Sequence, residues 1–198
     1  MRAPIVLVVL AAIAAPARAD VETSDPAPMP ARSIAAGIAG HGGRYLGRPE
    51  GGWGPFVEVA LGYRRFQYAL ELAVMPIKTG YEGPERRGVA VRGGAVVRWL
   101  ARSFVLTDRL ALEMHLEAFA GAAQLRWENA ERVWRPDLGV GVGYQIRWIP
   151  TVAFRLSARA YFAPHDRSAA PTACLATTPC KPESSSSTGL FALFGAAW

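Results

Sequence analysis

Between Leu110 and Ala120 the apolar residues Leu110, Leu112, Met114, Leu116, Ala118 and Ala120 fall on one parity, and Glu113, His115 and Glu117 on the other. A period of two over ten residues is the period of a half-buried strand, and no helix of 3.6 residues per turn reproduces it. The pattern recurs. Phe66, Tyr68, Leu70, Leu72 and Val74 oppose Gln67, Ala69, Glu71, Ala73 and Met75. Leu138, Val140, Val142, Tyr144, Ile146 and Trp148 oppose Gly139, Gly141, Gly143, Gln145 and Arg147. Val152, Phe154, Leu156, Ala158, Ala160 and Phe162 oppose Arg155, Ser157, Arg159 and Tyr161. Four further segments alternate less cleanly: residues 33–43, Val57 to Tyr63, Val89 to Trp99 and Leu190 to Trp198. Eight strands are predicted, and a tilted strand that crosses a bilayer needs about 9–11 residues.

The connections expected between them are residues 44–53, 64–65, 76–87, 101–108, 128–136, 149–150 and 164–188. Antiparallel neighbours place alternate connections at opposite ends, so one end carries four longer loops and the other three mostly short turns. Residues 101–108 and 164–188 are long enough to hide further strands, which leaves a ten-strand alternative open.

Before the first strand, Arg2, an apolar run from Pro4 to Pro16 and Ala17-Arg18-Ala19 have the order of an export signal with its small-residue cleavage site. Residues 1–19 are read as a signal peptide, 20–31 as a Pro-rich linker and 32–198 as the folded unit. Removing residues 1–19 takes two arginines and no acid, leaving 20 Lys+Arg against 16 Asp+Glu. That modest excess, on an exported chain, gives no reason to expect a nucleic-acid partner. Two cysteines, Cys174 and Cys180, share a Pro/Ser/Thr-rich stretch, and an oxidising compartment makes a local disulfide the expected state.

Alternation alone fits a soluble barrel as well as a membrane barrel. The polar faces here carry Gly and Ala between their charges, which suits a crowded interior better than a solvated surface. Aromatic residues gather near predicted strand ends: Tyr63, Phe66, Trp99, Trp148 and Trp198 at the short-turn end, Trp127 and Phe162 at the other. Such girdles mark the two interfaces of a membrane barrel. With the C-terminal segment GLFALFGAAW and its final Trp198, the chain resembles the small eight-stranded outer-membrane β-barrel proteins of Gram-negative bacteria. The resemblance is architectural and covers about residues 32–198. It implies an all-β, antiparallel up-and-down transmembrane barrel in the cell outer membrane. It implies a monomer in a lipid bilayer, with a C-terminal strand read by the barrel-assembly machinery. Arginines and aromatics of the longer loops, Arg44, Arg48, Arg86, Arg87, Arg132, Arg135, Arg167, Lys181, Trp53, Tyr81 and Trp134, make lipopolysaccharide a candidate contact.

An outward apolar face sends the strand charges into the lumen. Glu58, Glu71, Arg92, Glu113, His115, Glu117, Arg155 and Arg159 are expected to form an ion-pair network there, because an unpaired buried charge costs several kcal/mol. Counting from the short turns puts Glu58, Glu71, Glu113, Gln145 and Arg155 on one level and Arg92, Glu117 and Arg159 on a higher one. The expected role is a plugged, structural or surface-interacting barrel; a small gated pore with the same charges as gate is the alternative. A lipid A-modifying enzyme is a third reading. It would need a Ser nucleophile, a His base and an orienting acid, and His165, Asp166 and Ser168 offer these residue types without the expected spacing, so no catalytic residue is assigned. Glu113-x-His115-x-Glu117 has metal-ligand chemistry, but neighbouring arginines repel a cation, and neither metal nor cofactor is expected.

Overall fold

A computed structural model describes residues 32–45, 48–79, 86–107, 109–128, 132–148, 152–164 and 186–198. The stretches read as signal peptide and linker, both cysteines, and His165, Asp166 and Ser168 lie outside the described residues. Eight strands follow in chain order: β1 (Arg32–Tyr45), β2 (Arg48–Tyr63), β3 (Phe66–Thr79), β4 (Arg86–Thr107), β5 (Leu110–Trp127), β6 (Arg132–Trp148), β7 (Val152–Pro164) and β8 (Ser186–Ala197). Each pairs antiparallel with its sequence neighbours, and β8 pairs with β1, so the sheet closes on itself. Closure extends to the last residue: Trp198 N donates to Ile34 O at 3.0 Å, and Ile34 N to Trp198 O at 2.9 Å.

Following paired residues once round, Ile34, Val59, Leu70, Ala95, Ala120, Leu138, Phe162 and Thr188 lead back to β1 at Arg44, ten residues beyond the start. That stagger over eight strands corresponds to a strand tilt of about 40°, using a rise of about 3.3 Å and a strand spacing of about 4.8 Å.

The faces settle the inside-out question. Val57, Val59, Leu61, Tyr68, Leu70, Val140, Leu156, Leu190 and Phe194 are half or more exposed, whereas Glu58, Gln67, Glu71, Arg98, Glu113, Glu117 and Arg159 are buried. A soluble barrel with an apolar cavity would show the reverse. Along the axis, the outward aromatics Tyr63, Phe66, Trp99 and Trp198 are separated from Trp53 and Phe162 by roughly 22 Å on this tilt, close to the roughly 25 Å apolar band of outer-membrane barrels.

The strands run further than their alternation suggested. Residues 48–53, 76–79, 101–107 and 132–136, expected in connections, are strand. Only residues 46–47 separate β1 from β2, so the first of the four expected long loops is short; the intervals 80–85, 128–131 and 165–185 remain the longer ones. In β4 a register shift between Leu100 and Arg102 turns Arg102 outward beside Met114 and Ser103 inward beside Glu113. Such a bulge restores the alternation a plain count would lose, and it makes 101–107 a continuation of β4 rather than a hidden extra strand. At the tight turn to β3, Arg64 takes φ 55 and lays its guanidinium 5.3 Å from the Tyr63 ring. The β2–β3 ladder is interrupted between Gly52↔Ile77 and Phe56↔Ala73, the stretch that holds Pro55 and Pro76, which have no N–H to donate.

Candidate functional site

Six carboxylates (Glu50, Glu58, Glu71, Glu113, Glu117, Asp137) and six guanidiniums (Arg92, Arg98, Arg135, Arg147, Arg155, Arg159) are buried among the described residues. Among the described residues the interior is therefore balanced in formal charge. Strand parity sends each of these side chains inward, and the tilt decides which of them meet.

At mid-height the charges alternate in an unbroken chain: Arg155, Glu58, Arg98, Glu117, Arg159, Glu71. Arg155 Nη1 donates to Glu58 Oε1 at 2.7 Å. Arg98 Nη1 donates to the same oxygen at 2.9 Å, and Arg98 Nη2 pairs with Glu58 Oε2. Arg98 Nε donates to Glu117 Oε1 at 2.9 Å, and Arg159 Nε to Glu117 Oε2 at 2.6 Å. Arg159 Nη1 reaches Glu71 Oε2 at 2.9 Å. The six residues come from β2, β3, β4, β5 and β7, so the chain ties both walls of the barrel together. Neutral groups complete the hydrogen bonding. Gln67 Oε1 accepts from Arg98 Nη1 at 3.0 Å and from Arg155 Nη2 at 3.3 Å, and Ser157 Oγ donates to Glu117 Oε1 at 2.8 Å. Gln67 and Glu58 thus hold two like-charged guanidiniums, Arg98 and Arg155, side by side.

Toward the end with the longer connections, Arg92 Nε lies 3.0 Å from Asp137 Oδ2. Its guanidinium also stacks over Phe191 at 4.1 Å, Phe119 at 4.5 Å and Tyr161 at 5.2 Å. Cation–π contacts strengthen when desolvated, and these rings enclose the cation. Arg135 Nη1 donates to Glu50 Oε1 at 3.1 Å, and His41 Nε2 lies 3.1 Å from that oxygen. Toward the tight turns, Arg147 Nη2 pairs with Glu113 Oε1 at 2.5 Å, and Gln145 links Glu113 to Arg155 through bonds of 3.3 Å and 3.1 Å. A recess of about 70 Å³ opens at this mouth, lined by Arg32, Ser33, Gln67, Gln145, Arg147 and Arg155 among others.

The eight residues singled out from the sequence all lie inside, but not on two levels. Glu117 joins Arg98 and Arg159 at mid-height and Glu113 lies below with Arg147, because the stagger offsets each strand from the last and β4 and β5 run past their neighbours. Glu113, His115 and Glu117, which share metal-ligand chemistry in the sequence, do not converge on one point. His115 Nε2 is 3.8 Å from Glu113, both carboxylates are engaged by arginines, and neither ring nitrogen of His115 has a hydrogen-bond partner among the described residues. Trp127 is a correction: at 4 % exposure it is buried in the interior cluster rather than part of the belt. Its parity on β5 is that of Glu113 and Glu117, which the sequence already displays. Trp53 (71 % exposed) and Trp134 (67 %) project outward at that end instead, from strand segments taken for loops.

Arg98, Gln67, Asp137, Glu50, His41 and Arg147 were not singled out, and Arg135, expected in an outer loop facing lipopolysaccharide, is instead buried in the lumen against Glu50. Arg98 had a signal, since it shares Arg92's parity between Val97 and Trp99. Glu50, Arg135 and His41 lay at or beyond the expected strand ends, where parity had not been followed.

No protein-family model matches the sequence, and no curated protein matches it. Solved structures do. The crystal structure of Neisserial surface protein A (NspA) aligns with a TM-score of 0.53 at 13 % identity, over 85 % of this chain and 96 % of that one. Ail, the attachment invasion locus protein of Yersinia pestis, aligns with a TM-score of 0.44 at 16 % identity, over 86 % of this chain and all of that one. The fold is that of the small eight-stranded outer-membrane barrels.

Proposed function

We propose that this chain is an integral protein of the outer membrane of a Gram-negative envelope, with a closed lumen and a structural or surface-contact role. The observation that carries the reading is the alternating chain Arg155–Glu58–Arg98–Glu117–Arg159–Glu71 behind a wholly apolar outer band. An exposed apolar surface of that extent needs lipid around it, and a closed sheet leaves no edge for the hydrocarbon to meet. Interior ion pairs with both partners buried hold their geometry because breaking one strands a charge. Export through residues 1–19, a disulfide between Cys174 and Cys180, assembly guided by the C-terminal strand and a monomeric state belong to the same reading. So does contact of the outer rim with lipopolysaccharide. No catalytic role is proposed; His41 is turned into the lumen against Glu50.

Planar-bilayer recording of the refolded, purified protein tests the closed lumen. The expected result is silence; sustained unitary currents from the unaltered protein would refute it. A gated pore is the second reading, and the sharing of Glu117 by Arg98 and Arg159 favours it: a carboxylate that can lean to either cation is a partner exchange in waiting. Under that reading Arg159→Ala raises open probability, and an equally silent Arg159→Ala counts against it.

A further inference from the structure

At the tight-turn end β4 outruns β3. The β3–β4 ladder ends at Phe66↔Trp99, and just below it Leu100 N donates to Arg65 O of the turn at 2.8 Å. β4 continues to Thr107, paired with β5 from Arg102↔Met114 to Thr107↔Leu110. Among the described residues nothing pairs with the other edge of 102–107, so a row of backbone N–H and C=O groups is left open there, beyond Trp99. Arg32, Arg64, Arg65, Arg102 and Arg109 stand exposed around this end of the barrel. No described residue at this end is an exposed acid; Asp108, in the β4–β5 turn, lies outside the described residues. An open strand edge among so many cations is shaped for an extended, acidic strand.

We propose that residues 20–25 of this same chain, outside the described residues, add to that edge as a short strand antiparallel to β4. Asp20, Glu22 and Asp25 bring three negative charges, and residues 20–31 hold no Lys or Arg. Val21 and Thr23, both β-branched, alternate with Asp20 and Glu22, which is the period and the residue type of a strand. Pro26, Pro28 and Pro30 favour an extended connection that cannot itself form a full ladder. The reach fits. Arg32 is level with Leu61 and, through it, with Tyr68. The line of β3 just below Arg65 lies two strand spacings of about 4.8 Å sideways from Arg32 and four residues of about 3.3 Å along, about 16 Å in all. Residues 26–31, at about 3.1 Å each in a proline-rich extended form, span about 19 Å. The direction fits as well, because a segment that leads into β1 runs the way β3 runs, antiparallel to β4. A second copy of the barrel fits less well, since it brings the same cations to the same edge.

Hydrogen–deuterium exchange of the purified protein in detergent micelles, read by mass spectrometry over 20–31 and 101–110, tests it. In the wild type the amides of 21–24 and the edge amides of 102–107 exchange at least tenfold more slowly than unstructured chain. Deleting residues 20–25 speeds the edge amides at least tenfold and leaves 138–148 unchanged. Glu22→Pro with Thr23→Pro removes an N–H of each parity and has the same effect, while Asp20→Lys with Glu22→Lys loses part of the protection. Edge amides that exchange alike with and without residues 20–25 would overturn the proposal: if fast in both, the edge is empty, and if slow in both, another occupant holds it. Protection that fades on dilution of the wild type assigns the edge to a second copy and overturns it too. Each variant is first run on a gel unheated and heated. Should the deletion variant lack the compact unheated form, the wild type alone decides: slow exchange at 21–24 that persists on dilution supports the added strand, and fast exchange there overturns it.

Discussion

Arg98 and Glu117 face each other directly across the β4–β5 ladder, with Arg98 Nε donating to Glu117 Oε1 at 2.9 Å and neither side chain reaching solvent. Glu117 accepts from Arg159 and Ser157 as well, so one carboxylate closes three hydrogen bonds.

Glu117→Ala therefore takes one of two carboxylate partners from each of two buried guanidiniums, Arg98 and Arg159, and leaves the interior with an excess positive charge. It is expected to lower unfolding stability by about 3–5 kcal/mol, the cost of breaking a buried pair by removing one partner. Glu117→Gln, which keeps acceptor oxygen but not charge, should cost less. Urea titration followed by tryptophan fluorescence in detergent micelles reads both. Adding Arg159→Ala to Glu117→Ala should recover part of the loss, as coupled partners do in a double-mutant cycle. A loss under about 1 kcal/mol for Glu117→Ala would remove the network from any account of stability.

Gly94 and Gly121 are direct partners, and the Phe119 ring lies over them: a Cβ at Gly94 would stand 2.6 Å from Gly121 Cα and 2.7 Å from Phe119 Cζ. Phe119 in turn carries the Arg92 guanidinium, so the glycine pair makes room for the aromatic cap. Gly94→Val is expected to cost about 1–3 kcal/mol or more through overpacking. The neighbouring Gly93→Ala, where the nearest atoms are 3.5 Å away, should be close to neutral. Thermal melts of the two variants check the contrast, and a Gly94→Val protein as stable as Gly93→Ala would contradict the packing described.

Trp127 and Trp134 lie at the same end, one buried in the interior and one projecting outward. With the other tryptophans replaced by Phe, brominated lipid should quench Trp134 strongly and Trp127 weakly in reconstituted vesicles. Similar quenching of the two would place Trp127 in the belt after all.

The strand count, the closed order and the inward direction of every singled-out charge were legible because they depend only on parity, and parity is written in the sequence. Pairing was legible for few. Arg98 and Glu117 meet as cross-strand neighbours, but Arg159 with Glu71 and Arg155 with Glu58 meet across the lumen, where the ten-residue stagger decides the height. That stagger is a property of the closed sheet and no single strand carries it. Glu50, Arg135 and Asp137 show a second limit. The strands outlast their apolar alternation once they leave the apolar outer band, and the sequence there, rich in Gly, Pro and Arg, reads as loop. Phe191 and Leu193 on β8 show a third. They are apolar yet point inward, at 0 % and 2 % exposure, because Phe191 covers Arg92. Polarity tells which face is in only where the interior is polar throughout.

The measurement closest to the central claim is electrophoresis of the outer-membrane fraction, unheated and boiled in the same detergent. An apolar outer band around a hydrogen-bonded, charge-balanced interior predicts a compact form that survives cold detergent and shifts its migration on boiling. A single band at one position in both lanes, with the protein recovered in the soluble periplasmic fraction, would contradict it.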